Sequence, residues 1–127
     1  ATPPTSGERL ISIDAKKRRF RLANVTGGLS GPAIKPIALL HVYRVAQTVQ
    51  IPIIGMGGIV TADDVLEFMI AGATAVQIGT ANFVDPFLWK KILDGLRHYM
   101  TTHRVENLAT MTGTLDTTRR ETAWISS

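Results

Sequence analysis

The sequence predicts an α/β fold, because an apolar segment, a helical stripe and a second apolar segment follow one another in that order. Residues 51–55 are apolar without alternation, which is typical of a strand covered on both faces. Residues 62–71 show apolar spacing of helical period, and residues 75–79 form the second short apolar segment. Elements of these lengths fit one right-handed βαβ crossover with parallel strands.

The N-terminal third of the sequence is expected to form a charged hairpin, which the first helix follows. Residues 1–8 are rich in Pro, Thr, Ser and Gly, so we expect an atypical or disordered segment. The pattern at 9–22 predicts a solvated hairpin with its turn at 14–17. Apolar residues then recur at helical spacing, and Pro36 fits a first turn, so the first helix is predicted at 36–48. Its stripe comprises Ile34, Ala38, Val42, Val45 and Val49.

The second predicted helix, at 62–71, has signals at both ends. Thr61 offers an N-cap hydroxyl and Asp64 a carboxylate three residues later, which is the pattern of a capping box. Gly72 offers a left-handed C-cap. The buried stripe is expected to be Val65, Leu66, Met69 and Ile70.

A third helix is predicted at 86–102, followed by a short helix and a tail at 116–127. Asp85 is its N-cap candidate, placed before a first-turn proline. Gly95 is expected to weaken the helix by roughly 1 kcal/mol relative to alanine. The buried stripe would be Ile92, Leu93, Leu96, Tyr99 and Met100.

Two buried parallel strands do not complete a sheet. Each would have unpaired backbone groups along an outer edge, and those groups need neighbouring strands. We therefore expect the chain to form part of a larger sheet.

The composition limits the class of protein. The chain has 127 residues, which allows one domain and hardly two, and 45% hydrophobic with 19% charged residues is typical of a globular chain. It contains no cysteine, which excludes disulfides, thiolate metal sites and a cysteine nucleophile within it. No apolar run approaches the roughly 18 residues of a membrane span, and no signal pattern is visible, so we expect a cytoplasmic protein without a membrane partner.

The positive net charge of +4 is concentrated in the predicted hairpin. Residues 8–21 contain six basic and two acidic side chains, so the rest of the chain is neutral. Apart from Phe20, no aromatic residue stands among the basic ones, whereas binding to single strands would favour several. We expect a solvated surface there and no nucleic-acid partner.

Glycines cluster beside the predicted elements, at 26–31, at 55–58 and at 79–80. The last two segments follow the two predicted strands, and α/β sheets bind their ligands at the carboxyl ends of strands. Loops without Cβ atoms let backbone N–H groups converge on a phosphate. The alternative is a set of tight turns that need positive φ, and the pattern alone leaves both open. The absence of GxxxxGK[ST] and of a helix-opening GxGxxG disfavours a P-loop and a Rossmann site.

Other polar residues have structural explanations. His41, His98 and His103 are too scattered for a metal triad, so we predict no metal site. Asp63 and Asp64 are adjacent and point apart, which favours a helix cap over paired acid–base catalysis.

Three ordered motifs resemble the C-terminal part of dihydroorotate dehydrogenases, over roughly residues 10–115. They are NVTGGLSGPAIKPIAL at 24–39, IPIIGMGGI at 51–59 and VQIGTANF at 76–83. The likeness is greatest to the catalytic subunit of the NAD-linked, class 1B type. The resemblance implies a flavoprotein oxidoreductase, an FMN-dependent (β/α)₈ TIM barrel that oxidises dihydroorotate to orotate in pyrimidine biosynthesis.

The resemblance also implies which part of the barrel this chain supplies. The whole chain, 1–127, would be one partial domain, with residues 23–115 as the barrel portion and the two predicted strands as barrel strands seven and eight. Gly31 would pack against the flavin. The FMN phosphate would be held, through backbone N–H groups and the threonine hydroxyl, by Gly57, Gly58, Gly79 and Thr80.

The family's cysteine base, its flavin-contacting lysine and most substrate-binding asparagines lie on earlier strands, so we expect no catalytic residue in this chain. The family's Asn-Thr or Asn-Ser pair before the hairpin corresponds here to Ser6-Gly7, and residues 1–9 depart from the pattern. The implied partners are dihydroorotate or orotate, the remaining barrel segment, an electron-transfer subunit and a second copy of the chain. The alternative is a non-catalytic fragment that keeps the phosphate-binding fold and associates through exposed strand edges.

Overall fold

Two short antiparallel strand pairs precede an α/β part that contains one parallel pair. The computed structural model describes residues 9–118. The strands are β1 (Arg9–Ile11), β2 (Ile13–Asp14), β3 (Arg19–Phe20), β4 (Thr26–Gly28), β5 (Ile54–Met56) and β6 (Ala75–Gln77). The helices are α1 (Lys35–Thr48), α2 (Ala62–Ala71), α3 (Thr80–Val84) and α4 (Leu88–His103), with 3₁₀ turns at Pro32–Ile34 and Leu108–Met111.

A hairpin of β2 and β3 lies within the segment where the sequence predicts one. Asp14 closes its turn, because the carboxylate Oδ1 accepts the amides of Lys16 and Lys17 at 3.0 and 3.1 Å. Residues 15–21 are all exposed, as expected for a solvated surface. The flanking pair of β1 and β4 was not predicted, because its strands are far apart in sequence and β4 carries two glycines.

The βαβ unit that the sequence predicts is present. β5 and β6 pair in parallel, with Ile54 opposite Ala75 and Met56 opposite Gln77, and α2 connects them. Both strands are shorter than the predicted 51–55 and 75–79. Among residues 9–118 each of these strands has one neighbour.

The end signals of α2 are confirmed. The Oγ1 atom of Thr61 accepts the amide of Asp64 at 3.1 Å, and the Asp64 carboxylate accepts the amide of Thr61 at 3.0 Å. Gly72 ends the helix with a positive φ of 131° and donates its N–H to the Met69 carbonyl at 3.0 Å. Both ends lie where the sequence predicts them, because each is set by a local hydrogen bond.

The core lies between α1, α2, α4 and one face of the parallel strand pair. Phe68 of α2 is fully buried at its centre, although the predicted stripe did not include it. The buried cluster consists of Val42, Ile59, Val65, Leu66, Phe68, Met69, Ala73, Ile78, Leu88, Ile92 and Leu96. The described part of the chain contains no helix long and apolar enough to cross a bilayer.

The prediction that the strands are covered on both faces is wrong for this chain. Ile54 is 65% exposed and Met56 is 48% exposed. These side chains point away from Phe68 of α2, which Gly55 faces, since residues alternate between the faces of a strand. Residues 9–118 supply no second layer for that side.

The start of α4 also differs from the prediction. The helix begins at Leu88, with Phe87 as its N-cap residue, rather than at residue 86. Asp85 instead forms a turn ahead of the helix, because its carboxylate accepts the Phe87 amide at 3.0 Å and its carbonyl accepts the Leu88 amide at 3.1 Å. The short helix α3, just before this turn, had no predicted counterpart.

Two stripe residues are exposed where burial was predicted: Leu93 of α4 and Val45 of α1. The residues of α4 that do reach the core are Leu88, Ile92 and Leu96, which follow one another at intervals of four. A residue one position further along lies about 100° around the helix axis, so Leu93 points away from α2.

Candidate anion-binding site at the strand ends

Two glycine-containing loops leave the same edge of the parallel strand pair. Gly57 and Gly58 directly follow β5, and Gly79 with Thr80 closely follows β6. An open cavity of about 820 Å³ lies at this edge. All five residues predicted from the sequence line it: Gly31, Gly57, Gly58, Gly79 and Thr80. The fold therefore brings together three segments that are far apart in the chain.

Close packing alone explains two of these glycines. Gly57 and Gly58 have positive φ values of 121° and 72°. A Cβ at Gly58 would lie 2.9 Å from the Gly31 carbonyl oxygen and from the Lys35 amide nitrogen, while one at Gly57 would lie 2.9 Å from the Cβ of Ala38. The loop after β5 is thus pressed against the start of α1, and the tight-turn explanation is sufficient at both positions.

Gly31 and Gly79 have different surroundings, although the positive φ of 97° at Gly31 also favours glycine there. Apart from the two adjacent residues, a Cβ at either position would meet no atom of residues 9–118 within 4 Å, and both residues line the cavity. A side chain there would occupy the cavity rather than pack against protein. The backbone at these two points therefore borders a space that a ligand can approach closely, which fits a bulky group with an anionic end.

The remaining cavity wall is mainly apolar. Polar side chains that line it include His41, Gln77, Thr80 and Asp85. Hydrogen bonds from Lys91 Nζ, at 2.6 Å, and from the Phe87 amide hold the pKa of Asp85 below its ordinary value. An apolar wall with a few polar groups and exposed backbone suits a flat heterocycle with a charged substituent.

A charged cluster lies behind the loop after β5. Lys35 Nζ is 2.6 Å from Asp64 Oδ1 and 3.0 Å from Glu67 Oε2. The other oxygen of Asp64 accepts the amides of Val60 and Thr61 at 2.9 and 3.0 Å. Sequence reasoning identified Asp64 only as a cap, and it missed Lys35 because 29 residues separate the two and no local pattern links them.

Burial and hydrogen bonding shift the pKa of Asp64 in opposite directions. Burial by itself raises the pKa of the carboxyl, but the bonds from Lys35, Val60 and Thr61 outweigh it and hold the pKa below its ordinary value. The same contacts, first with Asp64 and then with Glu67, raise the pKa of Lys35. Both groups are therefore charged at neutral pH.

The histidines are dispersed. His41 borders the cavity, His98 is exposed, and Nδ1 of His103 lies 3.1 Å from the Tyr99 carbonyl oxygen. Across residues 9–118, no three His, Cys, Asp or Glu side chains lie close enough together to hold a metal ion. Ser6-Gly7, where the sequence departs from the family pattern, lies outside the described residues.

A family model described as dihydroorotate dehydrogenase matches residues 4–100, a range that contains the whole site. The chain belongs to the dihydroorotate dehydrogenase family. It is 55% identical over 107 residues to a protein of Geotalea uraniireducens named dihydroorotate dehydrogenase B (NAD(+)), catalytic subunit. A protein of the same name from Halalkalibacterium halodurans is 57% identical over 103 residues.

Solved dihydroorotate dehydrogenases also share the fold. Two structures of the enzyme (DHODH) from Eimeria tenella, one free of ligand and one in complex with ferulenol, superpose with a TM-score of 0.67 at 26% identity. They cover 84% of this chain, which spans 29–30% of theirs. The chain likewise spans about a third of the curated relatives, 35% and 34% of the two named above. Its α/β architecture is thus part of a larger dihydroorotate dehydrogenase fold.

Proposed function

We propose that the chain forms the FMN-phosphate end of a dihydroorotate dehydrogenase barrel. β5 and β6 would be strands seven and eight of the (β/α)₈ barrel. The observation that carries the proposal is that both strand ends open on one cavity, lined by all five residues that the family resemblance assigns to the flavin. In barrels of this type the phosphate site is frequently built by the loops after strands seven and eight.

Each residue of this site has a physical role toward FMN. The backbone N–H groups of Gly57, Gly58 and Gly79 would donate to the phosphate oxygens, together with the amide and hydroxyl of Thr80. The amide of Thr80 is the first of α3, so it has no acceptor within the helix. Gly31 leaves open the space in which a Cβ would stand, so a flat ring can approach the backbone there.

The bound FMN would supply the redox chemistry by accepting a hydride from the substrate. This chain's contribution is binding and orientation: its amides fix the phosphate, and its apolar wall excludes water from the ring. The oxidation of dihydroorotate to orotate also needs a general base. The resemblance assigns that base to a cysteine on an earlier strand, and this chain contains no cysteine. The reaction therefore needs the preceding barrel segment.

The proposal includes a cellular setting. The enzyme would act in pyrimidine biosynthesis in the cytoplasm, with dihydroorotate and orotate as substrate and product. Relatives are named catalytic subunits of an NAD(+) enzyme. This supports an electron-transfer subunit as a further partner and is compatible with a homo-oligomer.

An FMN titration followed by flavin fluorescence tests this function. The chain, alone and mixed with the preceding segment of the Geotalea uraniireducens subunit, is titrated with FMN, and dihydroorotate is then added without oxygen. We expect FMN binding and substrate-dependent bleaching of the flavin in the mixture only. Bleaching by the chain alone would contradict the assignment of the base to another segment.

Thr80→Val and its control Thr101→Val locate the binding site. Thr80→Val should weaken FMN binding about 10- to 150-fold, since a hydrogen bond to a charged group contributes roughly 1.5–3 kcal/mol. Thr101 is an exposed residue of α4 that donates to the Arg97 carbonyl, so its substitution should leave FMN binding unchanged. Equal affinity of the two variants would place the phosphate elsewhere.

The alternative function is a non-catalytic fragment that associates through its exposed strands. Ile54 of β5 is 65% exposed and Ile51, just before that strand, is 70% exposed. In the described chain β5 and β6 each have one neighbouring strand. Self-association in sedimentation experiments, with no FMN binding even after addition of the preceding segment, would favour this alternative.

A further inference from the structure

We propose that Lys35 is a positioning residue for the phosphate-binding loop, and that it acts through Asp64 to fix the loop between β5 and α2. The inference rests on the proposed function for its ligand. Its structural part concerns residues 57–61, which connect β5 to α2 and whose first four members line the cavity.

The loop is held at both of its ends. At the first end, the close approach of Gly58 to the backbone of Lys35 leaves no room for a Cβ, which would lie 2.9 Å from the Lys35 amide nitrogen and Cβ. At the second end, Asp64 Oδ2 accepts the amides of Val60 and Thr61 at 2.9 and 3.0 Å. A shift of the loop would therefore break the two hydrogen bonds to Asp64 or disturb the packing of Gly58 on Lys35.

Lys35 joins the two ends. Its backbone borders Gly58, and its ammonium group binds the Asp64 oxygen that the loop amides leave free, at 2.6 Å. Asp64 is 9% exposed, and removing the partner of a buried charge is costly. Without Lys35 the Asp64 carboxylate would be more stable in contact with water than in its buried position. A movement toward water would break its hydrogen bonds to the amides of Val60 and Thr61.

The lysine is not placed to bind the phosphate itself. Its ammonium group is engaged by both Asp64 and Glu67, and Lys35 is not among the residues that line the cavity within the described chain. An ion pair that merely joined α1 to α2 would need only one carboxylate oxygen. The second oxygen of Asp64 accepts the Thr61 amide of the capping box and also the Val60 amide, which lies outside that motif, so the ion pair and the loop share one carboxylate.

Residue-resolved amide hydrogen exchange on the full 127-residue chain tests the structural part without any ligand. Lys35→Met should raise the exchange rates of the Val60 and Thr61 amides about tenfold, while that of Phe68 in α2 stays unchanged. Lys90→Met is the matched control, because it makes the same substitution and charge change at an exposed residue of α4. Unchanged rates at Val60 and Thr61, or an equal rise at Phe68, would overturn the proposal.

Two further variants separate charge from geometry and guard against an unfolded Lys35→Met. Lys35→Arg keeps a cation beside Asp64 and should preserve most of the protection. Asp64→Asn keeps an oxygen for a loop amide but removes the ion pair, so it should raise exchange at the same two amides. The opposite result for either variant would contradict a role that acts through the ion pair.

FMN affinity of the assembled barrel tests the functional part. Lys35→Met should raise the FMN Kd about tenfold, by analogy with the loss of a group that orients a metal ligand, and Lys90→Met should not change it. In the Asp64→Asn background Lys35→Met should add little, since residues that act as a unit are not additive. Full additivity would overturn the proposal.

The two sets of measurements distinguish the inference from the function on which it rests. If the wild-type assembly binds no FMN but the expected exchange pattern is observed, the proposed function is refuted. The positioning of the loop by Lys35 through Asp64 is then still supported. Normal FMN binding by both wild type and Lys35→Met would refute the positioning role alone.

Discussion

The two faces of the β5–β6 pair both carry apolar residues, but among residues 9–118 only one face is packed against a helix. On one face Gly55 packs so closely on α2 that a Cβ would lie 2.6 Å from the Phe68 ring. On the other face Ile54 and Met56 are 65% and 48% exposed. Full burial of such a side chain is worth about 1.5–3 kcal/mol. The strand sequence is thus suited to burial on both faces, while the described chain covers only one.

The largest expected effect is on the covered face. Phe68→Ala should lower the free energy of unfolding by about 3–5 kcal/mol, because it leaves a cavity at the centre of the core. Urea denaturation of the chain measures this change. A loss below 1 kcal/mol would show that α2 and the strands are not packed together in solution.

A smaller effect is expected when the same face is overfilled. Gly55→Ala places a methyl group 2.6 Å from Phe68 and 3.2 Å from the Cβ of Ala73, so we expect a loss of about 1–3 kcal/mol. The double variant Gly55→Ala/Phe68→Leu should lose less stability than the sum of the two single variants, because leucine leaves room for the methyl group. Additive losses in the double variant would argue against direct contact between strand and helix.

The pH dependence of the free energy of unfolding tests the contribution of Asp64, which forms the ion pair with Lys35. The folded pKa of Asp64 is lower than its ordinary value of 3.8, so Asp64 contributes stability that is present above that value and lost as the pH falls through the folded pKa. The stability difference between wild type and Asp64→Asn should therefore be constant near neutral pH and shrink below about pH 4. Asp63→Asn, at the exposed neighbouring residue, is the control.

The smallest effect is expected on the open face. Ile54→Ala should change the stability of the chain alone by about 0.5 kcal/mol or less, as exposed substitutions do. In the assembled barrel the same substitution should cost about 2–5 kcal/mol, because the side chain is then buried. Equal effects with and without the preceding segment would show that this face does not meet the rest of the barrel.

Local signals in the sequence were sufficient for much of this fold. The α2 helix has the predicted bounds, since its ends depend on Thr61, Asp64 and Gly72, which act within a few residues. The loops after the two strands were also found, because glycines mark them. The pairing of β1 with β4 and the helix α3 were missed, since neither has a strong pattern of its own.

The sequence by itself determined the three longer helices and the βαβ order, because propensity and capping are local properties, and its resemblance to a known family indicated the five candidate residues of the site. Only the tertiary structure decided that Lys35 reaches Asp64 and that the five residues line one cavity. It also explains why α4 contains a glycine at position 95, since a Cβ there would lie 2.7 Å from the Cβ of Ala62 in α2. Contacts between residues that are distant along the chain depend on how helices and strands pack, and no local pattern encodes that packing.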